Sequence, residues 1–219
     1  VSARLHDMDG DGRQDLVVLM AQGDEGVDIY FDRADSWERR RVLRFPPVFG
    51  VSSLEVADFN DDGRPDLLIA NGDNADFSYG LKPYHGLRIF TGAPDGTFHE
   101  SWFYPLYGAT RALTGDFNLD GQPDIAAIAF FADFESPHPE SFVLLLQQSA
   151  QPLRFQPHTL PQSRLSRWLV LHSADVDADG DPDLLLGAFT FSPTPVPDSL
   201  RRFWREQRLA ALLLRNRTR

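Results

Sequence analysis

The chain has 219 residues, 42% hydrophobic and 24% charged, the balance of a folded globular protein with a sizeable core. Its formal net charge of −11 argues against nucleic acid or anionic lipid as a partner, and the lack of cysteine excludes disulfides and thiolate metal sites. No apolar run approaches the roughly 18 residues of a membrane-spanning helix, so direct membrane insertion is set aside as well.

Residues 1–6 read as a strand. The first residue is not methionine and no signal-peptide pattern is present, which fits a processed or truncated chain whose address lies upstream. The strand runs into Asp7-Met8-Asp9-Gly10-Asp11-Gly12-Arg13-Gln14-Asp15, and the pattern D-x-[DN]-x-D-G-x-x-D returns at residues 58–66, 116–124 and 175–183. The first aspartates are 51, 58 and 59 residues apart, a period that marks a repeat architecture.

Each loop leads into short β-like segments. In the first unit (residues 1–44) these cover 16–22, 27–32 and 37–44. The second unit (51–104) has strands at 51–58, 66–71, 86–91 and 97–104; the third (109–160) repeats them at 109–116, 124–131, 141–148 and 153–160. The fourth (167–219) starts alike at 167–175 and 183–189. Leu200, Phe203 and Trp204 then lie at i, i+3 and i+4 behind Asp198 or Ser199, which predicts a helix over 198–208, and a third strand follows at 209–216. Four short strands per unit describe an all-β fold, a β-propeller of four-stranded antiparallel blades. Six or seven blades are expected in all, so upstream blades or another chain would complete the ring.

The spacing within each loop suits Ca²⁺, which takes about six to eight oxygen ligands at roughly 2.3–2.6 Å. Positions one, three and five aim side-chain oxygens at one centre, and glycine at position six permits the sharp turn. Position seven offers its backbone carbonyl, and position nine closes the shell with an aspartate. An EF-hand would need glutamate at position twelve, which here is Val18, Ile69, Ala127 or Leu186 inside β-like runs. Aspartates at ligand positions also account for fourteen of the 32 acidic residues, leaving the remainder outnumbered by 21 Lys and Arg. The acidity therefore reports metal binding rather than a generally acidic surface.

These motifs resemble the FG-GAP/VCBS repeat family, the calcium-binding propeller repeat of integrin α-subunits and many bacterial extracellular proteins. The resemblance covers nearly the whole chain. It implies four Ca²⁺ sites: Asp7, Asp9, Asp11 and Asp15 with the carbonyl of Arg13; Asp58, Asn60, Asp62 and Asp66 with that of Arg64; Asp116, Asn118, Asp120 and Asp124 with that of Gln122; and Asp175, Asp177, Asp179 and Asp183 with that of Asp181. It also implies an extracellular, cell-surface or periplasmic location, in keeping with the millimolar calcium found outside cells.

The loops join first and second strands, whereas the long connections 71–85, 132–140 and 190–208 join second and third strands at the opposite end of each blade. That second face is where a protein or carbohydrate ligand is expected, because binding concentrates on loops carried by a rigid scaffold. Its candidate groups are His85 beside Tyr84, although ordinary surface or strand positions are the first reading for the histidines; the aromatics Trp102, Phe103, Tyr104, Tyr107, Phe130, Phe131 and Trp168, for which packing in the core between blades is the first reading; and the carboxylates Glu55, Asp73, Asp76, Asp133 and Glu135. Trp37-Glu38-Arg39-Arg40-Arg41 is a basic cluster, read as a solvated blade edge. No zinc spacing, serine elbow or haem motif occurs, so no catalytic residue is assigned. The main expectation is a calcium-binding recognition or scaffold module. The alternatives are a polysaccharide hydrolase or lyase using insertion carboxylates, and an accessory domain of a larger redox or surface assembly.

Overall fold

The computed structural model describes residues 2–73, 80–189 and 194–218. Among the described residues, fifteen strands form four antiparallel sheets in chain order. The first contains β1 (Ser2–His6), β2 (Asp15–Met20), β3 (Gly26–Asp32) and β4 (Trp37–Arg44). The second contains β5 (Val51–Ala57), β6 (Asp66–Asn71), β7 (Gly86–Gly92) and β8 (Phe98–Pro105). In the third are β9 (Ala109–Gly115), β10 (Asp124–Ala129), β11 (Phe142–Ala150) and β12 (Leu153–His158). The fourth has β13 (Trp168–Ala174), β14 (Asp183–Ala188) and β15 (Ala211–Leu214), with helix α1 (Asp198–Gln207) between the last two. Each strand lies within two residues of its expected span. Among the described residues no helix is long and apolar enough to cross a membrane.

The sheets are propeller blades. Their first strands neighbour one another in the order β1, β5, β9, β13, and β13 does not pack back against β1, so the four blades form an open arc. Polar links one repeat apart tie this inner row together. Arg4 Nε donates to Glu55 Oε2 at 2.8 Å, the Ser53 hydroxyl meets the Ala112 backbone at 3.3 Å, and Arg111 Nε donates to the Leu171 carbonyl at 2.8 Å.

The core lies between blades, because each sheet is covered by its neighbours. Val17, Leu19, Val27 and Ile29 meet Leu54, Leu67 and Ile69 between blades one and two. Leu68, Ala70, Leu87 and Ile89 meet Ala112, Ile125, Ala127 and Leu145 between blades two and three. Leu113, Ala126, Ile128 and Phe142 meet Trp168, Leu171, Leu184 and Leu186 between blades three and four. The second strands are therefore apolar on both faces: β6 and β10 are buried throughout. The outer strands β4, β8 and β12 see solvent and carry the charge. Helix α1 follows its predicted face, burying Leu200 and Trp204 against the third-blade insertion, with the Trp204 ring edge-on to Phe134 at 5.3 Å.

Candidate metal centres

All four loops share one scaffold of hydrogen bonds, and the backbone supplies most of it. The first aspartate turns both oxygens inward. Asp7 Oδ1 accepts from the amides of Gly10 (2.7 Å) and Asp11 (3.2 Å), and its Oδ2 from that of Gly12 (2.8 Å). Asp58 accepts from Asp62 and Gly63, Asp116 from Asp120 and Gly121, and Asp175 from Asp179 and Gly180, all between 2.7 and 3.2 Å. The fifth-position aspartate accepts from the position-seven amide in every loop, at 2.9–3.1 Å. Amide donors, with that of Gly12 foremost, hold the Asp7 carboxyl below the usual range.

The glycine at position six has φ of 79–90° at Gly12, Gly63, Gly121 and Gly180, where a Cβ would be strained. Position four is left-handed too, at Gly10, Asp61, Leu119 and Ala178. Three of these are L-residues in a conformation that costs about 1–2 kcal/mol. Sequence reasoning missed this feature, since nothing about the residue types signals it.

The ninth aspartate behaves differently. Asp15, Asp66, Asp124 and Asp183 are essentially fully buried. One oxygen of each accepts from the amide of loop position two (Met8, Phe59, Phe117, Val176) at 2.9–3.1 Å. The other accepts from an amide in the second half of the third strand or just past it (Asp32, Gly92, Gln147, Asn216) at 2.8–2.9 Å. Each is a latch between its loop and the strand beyond. Burial pushes the Asp66 carboxyl up to about 6 and raises that of Asp124.

The oxygens that remain fit a hard cation. Asp7, Asp9 and Asp15 each place a carboxylate oxygen within 4.8 Å of the others, as do Asp175, Asp177 and Asp179. In the second loop Asn60 Nδ2 donates to Asp62 Oδ2 at 2.8 Å, leaving the buried Asn60 Oδ1 without a hydrogen-bond partner among the described residues. Positive charge is already drawn to three loops: Arg33 meets Asp9 at 2.6 Å, Arg64 pairs with Asp62, and Arg215 meets Asp177 at 3.4 Å.

The opposite face departs from expectation in several places. Glu55 is not free; it is buried and paired with Arg4. Asp133 caps its own turn through the amides of Glu135 and Ser136. Asp76 lies outside the described residues, as do parts of the connections 71–85 and 190–208. His85, a candidate for this face, is fully buried, and neither ring nitrogen has a hydrogen-bond partner among the described residues. Burial, reinforced by the Lys82 charge, lowers its pKa to about 4. Trp102 stacks on Tyr104 and lies tilted against Phe155, 4.7 Å between centroids, sealing blades two and three, while Trp168 is core.

Tyr107 is exposed and borders a cavity of about 260 Å³ with Asp133, Ser136, His138 and Glu140. Glu25, which sequence reasoning passed over, is buried with a raised pKa caused by that burial, and shares a cavity of about 230 Å³ with Asp73. Arg167 was missed as well. Its guanidinium is fully buried against Phe130 and Phe134, each ring centroid 4.9 Å away, and burial lowers its pKa to about 10. In the Trp37–Arg41 cluster, Arg39 and Arg41 pair with Asp28 and Arg40 with Glu38, so the blade edge carries a balanced ion network.

Residues 7–69 match the FG-GAP-like repeat family. Over 180 residues, 75% of its length, the chain is 29% identical to human integrin alpha-IIb; over 167 residues, 70% of its length, it is 29% identical to mouse integrin alpha-3. It is 30% identical to chicken integrin alpha-6 over 140 residues. The chain spans 17%, 15% and 12% of these relatives, respectively. Residues 7–69 thus carry an FG-GAP-like repeat, and the same loop motif and strand order recur in the other three units, so the chain is similar to FG-GAP-repeat proteins, with its repeats folded as propeller blades.

Proposed function

We propose that each of the four loops binds one Ca²⁺. The side-chain oxygens of Asp7, Asp9, Asp11 and Asp15, of Asp58, Asn60, Asp62 and Asp66, of Asp116, Asn118, Asp120 and Asp124, and of Asp175, Asp177, Asp179 and Asp183 would hold the ions. The carbonyls of Arg13, Arg64, Gln122 and Asp181 complete the four sets. The observation that carries this reading is the convergence of acidic oxygens in the first and fourth of four loops that share one hydrogen-bond scaffold, with the buried, unpartnered Asn60 Oδ1 in the second. The ion supplies charge neutralisation and rigidity. A cation that binds only the folded state stabilises it by about 2.7 kcal/mol per site at a hundredfold excess over Kd. Calorimetric titration of chelator-stripped protein should give four sites per chain; two or fewer at saturation would refute the assignment.

On this scaffold the insertion face is read as a recognition surface for a protein or carbohydrate, in a module working outside the cell, at the cell surface or in the periplasm. The exposed Tyr107 beside its cavity supports that reading, since an aromatic face with adjacent polar groups suits either partner. The carboxylates proposed for a polysaccharide hydrolase or lyase support it less: Glu55 is neutralised by Arg4, and Asp133 is engaged in its own turn. Tyr107→Ala should weaken a captured ligand without changing the calcium count, and unchanged affinity would remove this surface from consideration.

A further inference from the structure

Where two later blades meet at the loop end, a side chain of the second blade closes the gap. Gln147, whose amide reaches the latch Asp124, also sends Nε2 to the Phe59 carbonyl of the preceding loop at 2.8 Å. Asn216, whose amide reaches Asp183, does the same to the Phe117 carbonyl at 2.7 Å. Gln151 adds a bond to the Asn60 carbonyl at 2.8 Å. Between blades one and two the counterpart of Gln147 and Asn216 is Gly92, whose amide reaches Asp66. It has no side chain to offer, and a Cβ there would stand 2.6 Å from the Pro65 carbonyl oxygen. The Met8 and Asp9 carbonyls, which match those of Phe59 and Asn60, have no such donor among the described residues.

A cavity of about 570 Å³ takes the place of the missing side chains, bordered by Met8, Asp9, Gly92 and Ala93. That volume falls within the roughly 300–1,000 Å³ of small-molecule sites. The walls are two complete four-stranded blades, so the cavity does not arise from either end of the sequence. Met8, Phe31 and Phe98 give it apolar surface, and Arg33, Arg40 and Arg64 give it guanidiniums. Arg33 and Arg40 lie 4.9 and 5.1 Å from the Phe31 ring centroid and share Glu38 at 3.1 and 3.0 Å, which holds both in place. Arg40 spans the interface, with Nη1 3.1 Å from where a Cβ on Gly96 would stand. Arg64 is held by the Gly92 carbonyl at 3.1 Å and by Asp62. Arg40 commits one N–H to these bonds and Arg64 two, of the five that each guanidinium carries. Three carboxylates, Asp7, Asp9 and Asp58, border the cavity as well and balance the three arginines. On the calcium reading, ions in the first two loops neutralise these carboxylates and leave the lining cationic.

We propose that this cavity binds one acidic sugar, a pyranose that carries a carboxylate, such as the uronate unit of a glycan. Its hydroxyl groups donate to the Met8 and Asp9 carbonyls, as the amides of Gln147 and Gln151 do to their counterparts one interface later. Its carboxylate is held by Arg40 and Arg64, because the guanidinium fork matches a carboxylate bidentately. The apolar face of its ring lies on the surface of Met8 and Phe98. A neutral sugar leaves the guanidiniums without a counter-charge, and a glutamine side chain from a partner protein leaves most of the cavity empty. The site lies on the loop face, opposite the insertion surface, and rests on the calcium reading for its charge.

The test titrates sodium glucuronate, glucose and the tripeptide Gly-Gln-Gly into the 219-residue chain in saturating Ca²⁺, followed by amide chemical shifts. The calcium count is measured first on the same sample, so a failed count and a failed sugar site are separate results. One glucuronate per chain should bind, with shifts confined to residues 6–10, 29–40, 58–65 and 92–98, and glucose should bind at least tenfold more weakly. Arg40→Gln should weaken glucuronate at least tenfold, and Ala93→Trp, which fills the slot, should abolish binding, both with the calcium count unchanged. Should Ala93→Trp unfold, the glucose comparison and Arg40→Gln decide alone. No binding of glucuronate, equal binding of glucose, or shifts elsewhere would overturn the proposal. So would tighter binding of the tripeptide than of glucuronate, since the slot would then belong to a partner protein's side chain.

Discussion

The latch aspartates make a contribution to folding that can be separated from calcium, and Asp66 is the place to measure it. Its two oxygens accept from the Phe59 amide at 2.9 Å and the Gly92 amide at 2.8 Å, and the residue is fully buried. Asp66→Ala leaves both donors unpaired, one of them in a buried position. An unsatisfied buried donor costs about 1–3 kcal/mol, so the pair costs about 3 kcal/mol even with no metal present. That is a large part of a typical domain stability of about 5–15 kcal/mol, and for a chain of this size it lowers Tm by about 6–12 °C. Asp58→Ala is the control. It removes a carboxylate from the same loop, but the Asp62 and Gly63 amides it releases lie near solvent and find water, at a cost below about 1 kcal/mol. Both variants should lose the second calcium site. Only Asp66→Ala should lose stability in excess chelator, read by thermal and urea unfolding followed by circular dichroism. If the two unfold alike in chelator, the latch has no structural role of its own and the buried aspartates are metal ligands only.

Other outcomes follow from the same geometry. Chelation should lower Tm substantially and Ca²⁺ should restore it, while Mg²⁺ should do so poorly because its octahedral shell fits these loops badly; melting curves that coincide in all three conditions would leave the loops as mere turns. Ala178→Gly relieves a left-handed L-residue at an exposed site (φ 60°) and should add about 0.5–1 kcal/mol after the entropy of glycine is counted, whereas a loss in urea unfolding would refute that strain. Folded His85 titrates near 4 against an ordinary 6.5, so the unfolded chain binds the extra proton between those values and stability falls as pH drops through that window. The loss is about 3 kcal/mol relative to a His85→Gln chain, and parallel pH profiles for the two would contradict it. Arg33→Gln removes a guanidinium 2.6 Å from Asp9 and should tighten Ca²⁺ at the first loop by no more than about fivefold, because solvent screens an exposed ion pair.

Much of the fold is legible in the sequence because the repeat is written in residues with few alternatives. Aspartate at alternate positions followed by glycine points to a cation-binding loop, and the apolar runs after it, with strand length and turn signals on both sides, set it apart from an EF-hand. Groups whose role depends on a distant backbone are not legible. Asp66 looks like one more ligand until Gly92, on the third strand, is seen to donate to it. Glu55 reads as a free carboxylate until the inner row of strands brings Arg4 against it from one repeat earlier. His85 reads as the tip of an insertion, but its own backbone bonds, from its amide to the Lys82 carbonyl and from the Leu106 amide to its carbonyl, draw it inward. In each case the local pattern is polar, and the burial is imposed by neighbouring strands.

The two ends of a blade are thus stabilised by different means, which bears on how the protein works. At the loop end the first, fifth and ninth aspartates are fixed by amides, so the geometry depends little on the residues between them, and Met, Phe or Val all serve at position two. At the insertion end side chains hold the structure: Arg88 lies between Phe49 and Phe103 with ring centroids at 4.8 and 4.3 Å, and Arg167 packs among Phe130, Phe134 and Trp204. Such contacts differ from blade to blade, and so this end can change its surface without disturbing the loops. The second strands β2, β6, β10 and β14 join the two ends and form the apolar centre of every blade interface. On the proposed calcium reading, a cation bound in a loop would act on the insertion face through one buried strand and the latch that ties its first residue to the next strand. Strain introduced in that strand, rather than any change at the insertion itself, is what would couple the two faces.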